Sequence, residues 1–147
     1  NVELSASKKE IFQTLNNIGG RNGWYFANYL WKVRGWIDLV LGGVGMRRNR
    51  MFNDKFVVGD TLDWWRISKV IGFSMVELTA EMRLPGKATL SFELGQTSGQ
   101  TTLTQTASFY TNTILGCLYW IMLYPLHAVI FRGMITSISK RSTNKVR

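Results

Sequence analysis

Between Val76 and Phe109 the side chains change character at every second position, and this constrains the fold more than any other feature of the chain. Val76, Leu78, Ala80, Met82 and Leu84 alternate with Glu77, Thr79, Glu81 and Arg83. After Pro85-Gly86, Ala88, Leu90, Phe92 and Leu94 alternate with Thr89, Ser91 and Glu93. After the polar run from Gly95 to Gln100, Leu103, Gln105, Ala107 and Phe109 alternate with Thr102, Thr104, Thr106 and Ser108. Successive side chains of a strand point to opposite faces, so each stretch is a strand with one face buried. The turn residues between them join neighbours as hairpins, which makes an antiparallel meander. Leu62 to Val70 is a further strand, with Trp64 and Arg66 on one face and Trp65 and Ile67 on the other.

A sheet buried on one face needs helices to cover it, and the sequence supplies three. Ser7-Lys8-Lys9-Glu10 has the Ser-x-x-Glu spacing of a capping box, in which hydroxyl and carboxylate each satisfy a backbone N–H at a helix start. Ile11, Phe12, Leu15 and Ile18 continue at helical spacing, and Gly19-Gly20 gives the left-handed exit. From Trp24 to Leu41 the period is again helical. Phe26, Leu30, Val33, Ile37 and Leu41 form the side predicted to be buried, with Asn28, Lys32 and Asp38 opposite. Trp24 and Trp31 fall on that polar side, where either the loop after Gly42 covers them or they form a docking surface for another domain or a membrane interface. Arg34 and Asp38, four apart, are placed to pair on the flank for only about 0.3–0.5 kcal/mol.

Ile114 to Phe131 is a run of 18 residues in which His127 is the only ionisable side chain. Its length reaches the transmembrane threshold. Pro125 interrupts it, Arg132 ends it and the half-buried strands need an apolar cover, so it is read as a core helix that Pro125 kinks or divides. The fold class is therefore α+β of helix-grip type. A curved antiparallel sheet wraps a long C-terminal helix, with additional N-terminal helices, in one domain spanning residues 1–147.

A hydrophobic fraction of 46% excludes a disordered chain, and one cysteine, Cys117, excludes an internal disulfide framework. A reducing cytoplasm is the expected location. The chain begins at Asn1 with no signal-peptide pattern after it, and is expected to be a fragment of a longer protein. Its net charge of +9 includes basic clusters at Arg47, Arg48 and Arg50 and from Lys140 to Arg147, read first as solvated surface. The glycines of Gly42-Gly43-Val44-Gly45 precede Met46-Arg47-Arg48, but they follow a helix and lack a Gly-Lys-Ser/Thr ending, so a mobile turn is preferred to a phosphate cradle.

Arg66 and Gln105 fall among apolar neighbours, where an unpartnered polar group costs about 1–3 kcal/mol. Either a ligand answers them, or Arg66 meets an internal carboxylate and Gln105 meets backbone or water. His127 lies near Trp120, Leu123, Phe131 and Met134, an apolar setting in which a structural histidine is the default. Trp64 shares the face of Arg66. Arg66, Gln105, His127 and Trp64 are thus the candidate ligand-binding residues, and Trp24 and Trp31 the candidate interface. No nucleophile-plus-base pair and no metal-ligand spacing can be read, so no catalytic residue and no metal are assigned. Glu77, Glu81 and Glu93 are read as a solvated strand face.

Five motifs in order resemble a known family. They are Ile18 to Arg48 (IGGRNGWYFANYLWKVRGWIDLVLGGVGMRR), Gly59 to Ile67 (GDTLDWWRI), Ala80 to Gly86 (AEMRLPG), Leu103 to Ala107 (LTQTA) and Leu118 to Met134 (LYWIMLYPLHAVIFRGM). Together they resemble an uncharacterised bacterial domain family related to the START-like (SRPBCC) helix-grip superfamily. That family commonly forms the C-terminal part of proteins whose N-terminal part is an epimerase-like NAD(P)-binding short-chain dehydrogenase domain. The resemblance implies an internal cavity, no membrane span and a nucleoside-diphosphate-sugar epimerase-like or NAD(P)-dependent oxidoreductase parent, but it supplies no catalytic residues. Thr89 and Cys117 depart from the family pattern, standing where an aromatic and an arginine are expected.

Four functions compete. The first is a binding module for a small hydrophobic or amphipathic ligand, serving the N-terminal domain; NAD(P) would belong to that domain, since no dinucleotide fingerprint occurs here. The second is a structural or interaction domain with a filled core that docks on the dehydrogenase-like domain or another subunit. The third is an independent helix-grip enzyme using His127, and the fourth is binding of nucleic acid or anionic lipid through the basic clusters. The binding module is the expectation, with no nucleic acid expected as a partner.

Overall fold

A computed structural model of the chain describes residues 1–45, 55–97 and 99–144. The chain runs β1 (Val2–Leu4), α1 (Lys8–Asn16), a 3₁₀ turn at Gly20–Asn22, α2 (Asn28–Val40), β2 (Thr61–Leu62), β3 (Trp65–Ile71), β4 (Met75–Ala80), β5 (Lys87–Thr97), β6 (Gln100–Tyr110) and α3 (Ile114–Asn144). The six strands form one antiparallel sheet in the order β1-β6-β5-β4-β3-β2. The meander is as the alternation predicts, and a short strand at the N-terminus closes its far edge by pairing Val2 with Leu103. The architecture is α+β in a helix-grip-like arrangement, with the long C-terminal helix lying against the sheet.

Local chemistry explains where the elements start and stop. Glu10 N–H donates to Ser7 Oγ while Ser7 N–H donates to Glu10 Oε2 at 2.8 Å, so the capping box opens α1 as expected. Ile11, Phe12 and Leu15 are buried, and the chain leaves through Gly19 and Gly20 at φ 85 and 53. The β5–β6 hairpin is tighter than predicted. Gly95 and Gln96 still pair with Thr102 and Thr101, and the turn lies between Thr97 and Gln100, where Gly99 has φ 82.

Three expectations are corrected. First, α2 begins at Asn28, after a stretch in which Tyr25 and Ala27 adopt positive φ. The helix then presents the opposite face to the core. Trp31, Gly35 and Asp38 are buried, whereas Val33, Ile37 and Leu41 are exposed. Trp24 (0%) and Trp31 (8%) are therefore core residues and offer no surface to a partner. Large aromatic rings gain more from burial than the aliphatic row on the other face.

Second, Leu62 to Val70 is not one strand. Asp63 (φ 55) and Trp64 form a tight turn between β2 and β3, which breaks the alternation and lets consecutive Trp64 and Trp65 both be buried. Third, α3 runs through Pro125 as one helix. Pro125 lies on the exposed side, where the backbone opening it causes faces outward.

The first half of α3 is apolar all round, and the two halves behave differently. Ile130, Met134, Ile135 and Ile138 join the core against α1, β1 and β6, while Ile114, Leu115, Leu118, Ile121 and Met122 are exposed. By length and composition it is the one helix among the described residues able to cross a membrane, with 11% of its most apolar window buried. The row it turns inward from the first half is Gly116, Tyr119, Trp120, Leu123 and His127. Gly116 sits where a Cβ would strike Thr111 and the Pro85 carbonyl, and Gly133 where it would strike the Phe26 ring. These two glycines let α3 approach the strand ends and the segment leading into α2.

Candidate functional site

Two aromatic stacks face each other across the interior. In the first, Trp24 lies 4.8 Å from Trp31 between ring centroids and 6.1 Å from Trp65, and Trp31 lies 5.6 Å from Trp64. In the second, Phe109 stacks on Trp120 at 5.2 Å, Trp120 meets His127 at a tilt at 5.1 Å and His127 stacks on Phe131 at 5.5 Å. Between them is a cavity of about 70 Å³. α2 contributes Trp31 and Arg34 to its wall, the β2–β3 turn and β3 contribute Trp64 and Trp65, and α3 contributes Trp120 and His127. Met82 and Leu84, which continue the β4 alternation beyond the end of the strand, close one side. Phe109 and Trp120 also border a shallower outer groove of about 360 Å³ that includes Cys117 and Ile121.

The polar atoms of this wall set it apart from the rest of the interior. Arg34 Nη1, Trp64 Nε1, Trp65 Nε1 and His127 Nδ1 are buried without a hydrogen-bond partner. The neighbouring indoles are satisfied. Trp24 Nε1–H donates to Asp63 Oδ2 at 2.9 Å, and Trp31 Nε1–H donates to the Phe26 carbonyl at 3.1 Å. Burial holds His127 below the usual imidazole range, and the neighbouring Arg34 guanidinium adds to the effect, so the ring is neutral at pH 7. Arg34 was not singled out as a site residue by sequence reasoning, because Asp38 was read as its partner.

Asp38 is instead fully buried and serves the backbone. Its Oδ2 accepts from Gly45 N–H at 2.9 Å and its Oδ1 from Arg83 N–H at 2.8 Å. The glycine-rich stretch after α2 does present backbone N–H to an anion, but the anion is the chain's own carboxylate. This fastens the segment carrying Met82 and Leu84 to the helix carrying Arg34. Arg47, Arg48 and Arg50 lie outside the described residues, as does the end of the basic tail after Asn144.

The sequence-derived candidates separate. Trp64 and His127 are on the cavity wall. Arg66 is on the other face of β3, where its guanidinium pairs with Glu81 and donates to the Gly59 carbonyl at 2.7 Å, so the internal-carboxylate alternative describes it. Gln105 is half-buried with an unpartnered Oε1, but off the cavity wall. Among the described residues no three His, Cys, Asp or Glu side chains come together to hold a metal ion. Thr89 also lines the cavity, whereas Cys117 is exposed on the outer groove.

Fold and cavity together define an α+β domain that encloses a small aromatic space between its sheet and helices. The chain belongs to the family described as "Protein of unknown function (DUF2867)", whose model matches residues 1–134. No curated protein and no solved structure matches it significantly.

Proposed function

We propose that this domain binds a small amphipathic ligand in the cavity between the two aromatic stacks. The observation that carries this reading is that four residues lining the cavity, Arg34, Trp64, Trp65 and His127, each have a buried polar atom without a hydrogen-bond partner. Each buried polar atom without a partner costs about 1–3 kcal/mol, and a ligand that answers several at once recovers that cost. A cavity of about 70 Å³ admits a compact group and not a drug-sized molecule. The remainder of the ligand would lie across the Phe109–Trp120 rim in the outer groove. The START-like relationship and the pairing with an N-terminal epimerase-like NAD(P)-binding domain belong to the same proposal and rest on the sequence resemblance. In that arrangement the domain is accessory and cytoplasmic, NAD(P) belongs to the other domain, and the cavity holds or presents the ligand.

Thermal stability of the chain across a panel of fatty acids, aryl acids, alcohols and amines tests the reading. A ligand present at about 100 times its Kd adds about 2.7 kcal/mol, which is readily measured. Stabilisation by a subset, lost in Trp64→Ala, is expected; no stabilisation by any class would count against the proposal.

A second reading is favoured by one observation. The outer faces of α2 and α3 expose Tyr29, Val33, Trp36 and Val40, and Leu115, Leu118 and Ile121, respectively. Exposed apolar surface on that scale marks an interaction site, so docking on the dehydrogenase-like domain or on another subunit is the alternative role. Binding and docking are compatible, because the cavity lies on the inner faces of the same two helices and only Ile121 of the named docking residues borders the outer groove.

A further inference from the structure

Building on the binding reading, we infer that the buried end of the ligand is a carboxylate, held by the Arg34 guanidinium together with the indole N–H groups of Trp64 and Trp65. Three of the four unpartnered atoms belong to groups that only donate. These three donors ask for an acceptor, and the Arg34 charge would repel an ammonium or any other cationic head. Among the described residues no Asp or Glu lines the cavity, and three carboxylates of neighbouring segments are already engaged. Asp38 holds Gly45 and Arg83 N–H, Asp63 holds Trp24, and Glu81 holds Arg66.

The charge count narrows the class. His127 is neutral at pH 7, which leaves Arg34 as the one charged side chain among the described residues of the wall. One positive charge and about 70 Å³ of space suit a singly charged, compact head; a phosphate brings more charge and more oxygens than this wall balances. A carboxylate has two oxygens and about four lone-pair sites, enough to accept from a guanidinium and two indoles at once. Water can satisfy the indoles but leaves the guanidinium without a counter-charge.

A matched series of six-carbon probes tests this on the whole chain at pH 7: hexanoate, hexanamide, 1-hexanol and hexylamine. Binding is read from tryptophan fluorescence and from the indole N–H resonances of Trp64 and Trp65. The expected result is that hexanoate binds at least about tenfold more tightly than hexanamide or hexanol, hexylamine does not bind, and both indole resonances move with hexanoate. Arg34→Met should abolish the carboxylate preference, so that hexanoate binds no more tightly than hexanol. The head-group comparison on the unmodified chain stands even if that variant folds poorly. Equal binding of hexanol and hexanoate would overturn the carboxylate inference and leave the pocket reading intact. Failure of every probe to bind or stabilise the chain would overturn both.

Discussion

Replacing Asp38 by Ala separates two accounts of the same residue. As a surface residue paired with Arg34 four positions earlier, it would contribute no more than about 0.5 kcal/mol, and Arg34→Ala would cost the same. In the structure the side chain is fully buried and accepts from Gly45 and Arg83 N–H at 2.9 and 2.8 Å. A hydrogen bond to a charged group contributes about 1.5–3 kcal/mol, and truncation leaves the donors without a protein partner. The Arg83 bond is only partly buried, which places the sum near the low end, at about 3–4 kcal/mol. For a chain of 147 residues that corresponds to a fall in Tm of about 10 °C. Denaturant unfolding of Asp38→Ala and Arg34→Ala, with amide exchange at Gly45 and Arg83, measures it. The expected outcome is a large loss for Asp38→Ala alone, with faster exchange at both amides. A loss below about 1 kcal/mol, or equal losses in the two variants, would refute the buried-clamp account.

Three further outcomes follow from burial and charge. Burial raises the Asp63 carboxyl, outweighing the Trp24 and Gly20 hydrogen bonds, so its contribution to stability is full below the ordinary Asp range and declines as pH rises through its folded value. Asp63→Asn lacks this titration, and its Tm relative to wild type should improve between pH 3 and pH 7; a pH-independent difference would contradict this. His127 has the opposite sign: its lowered folded value makes stability present above the ordinary histidine range and lost as pH falls through it. Because it is the only His, His127→Phe should flatten the Tm change between pH 7.5 and 5.5, and an unchanged slope would show that other groups control it. Finally, Trp31→Ala should cost about 3–5 kcal/mol, whereas Trp36→Ser on the exposed face of the same helix should stay within about 0.5 kcal/mol; the reverse ranking in denaturant melts would mean that α2 faces the other way.

Much of the sheet and the first helix was legible because each rests on a local signal. The capping box at Ser7 and Glu10 and the alternation from Val76 to Phe109 need no knowledge of distant residues. β1 was missed because three residues carry no period. The facing of α2 was misread because both sides of that helix carry large apolar groups. The decisive contribution came from Asp38, whose partners lie 7 and 45 residues away. A glycine-rich stretch in need of an anion, seven residues after an Asp, was the available clue. The Asp63 turn hid in a strand-like run because a single left-handed residue leaves no trace in hydrophobicity. Its Asp-Trp-Trp sequence is nevertheless a place where a short polar residue tolerates positive φ. Of the candidate site, Trp64 and His127 were visible from spacing. Arg34 was not, since its importance comes from the absence of a partner, and that is a property of packing.

Native mass spectrometry of the protein purified from its host, intact and after denaturation, tests the binding of a ligand most directly. The expected result is a mass difference that disappears on denaturation, with release of a small molecule bearing a carboxylate. A bare polypeptide mass, in a chain whose stability no carboxylate or apolar ligand alters, would contradict it and leave the exposed faces of α2 and α3 as the functional surface.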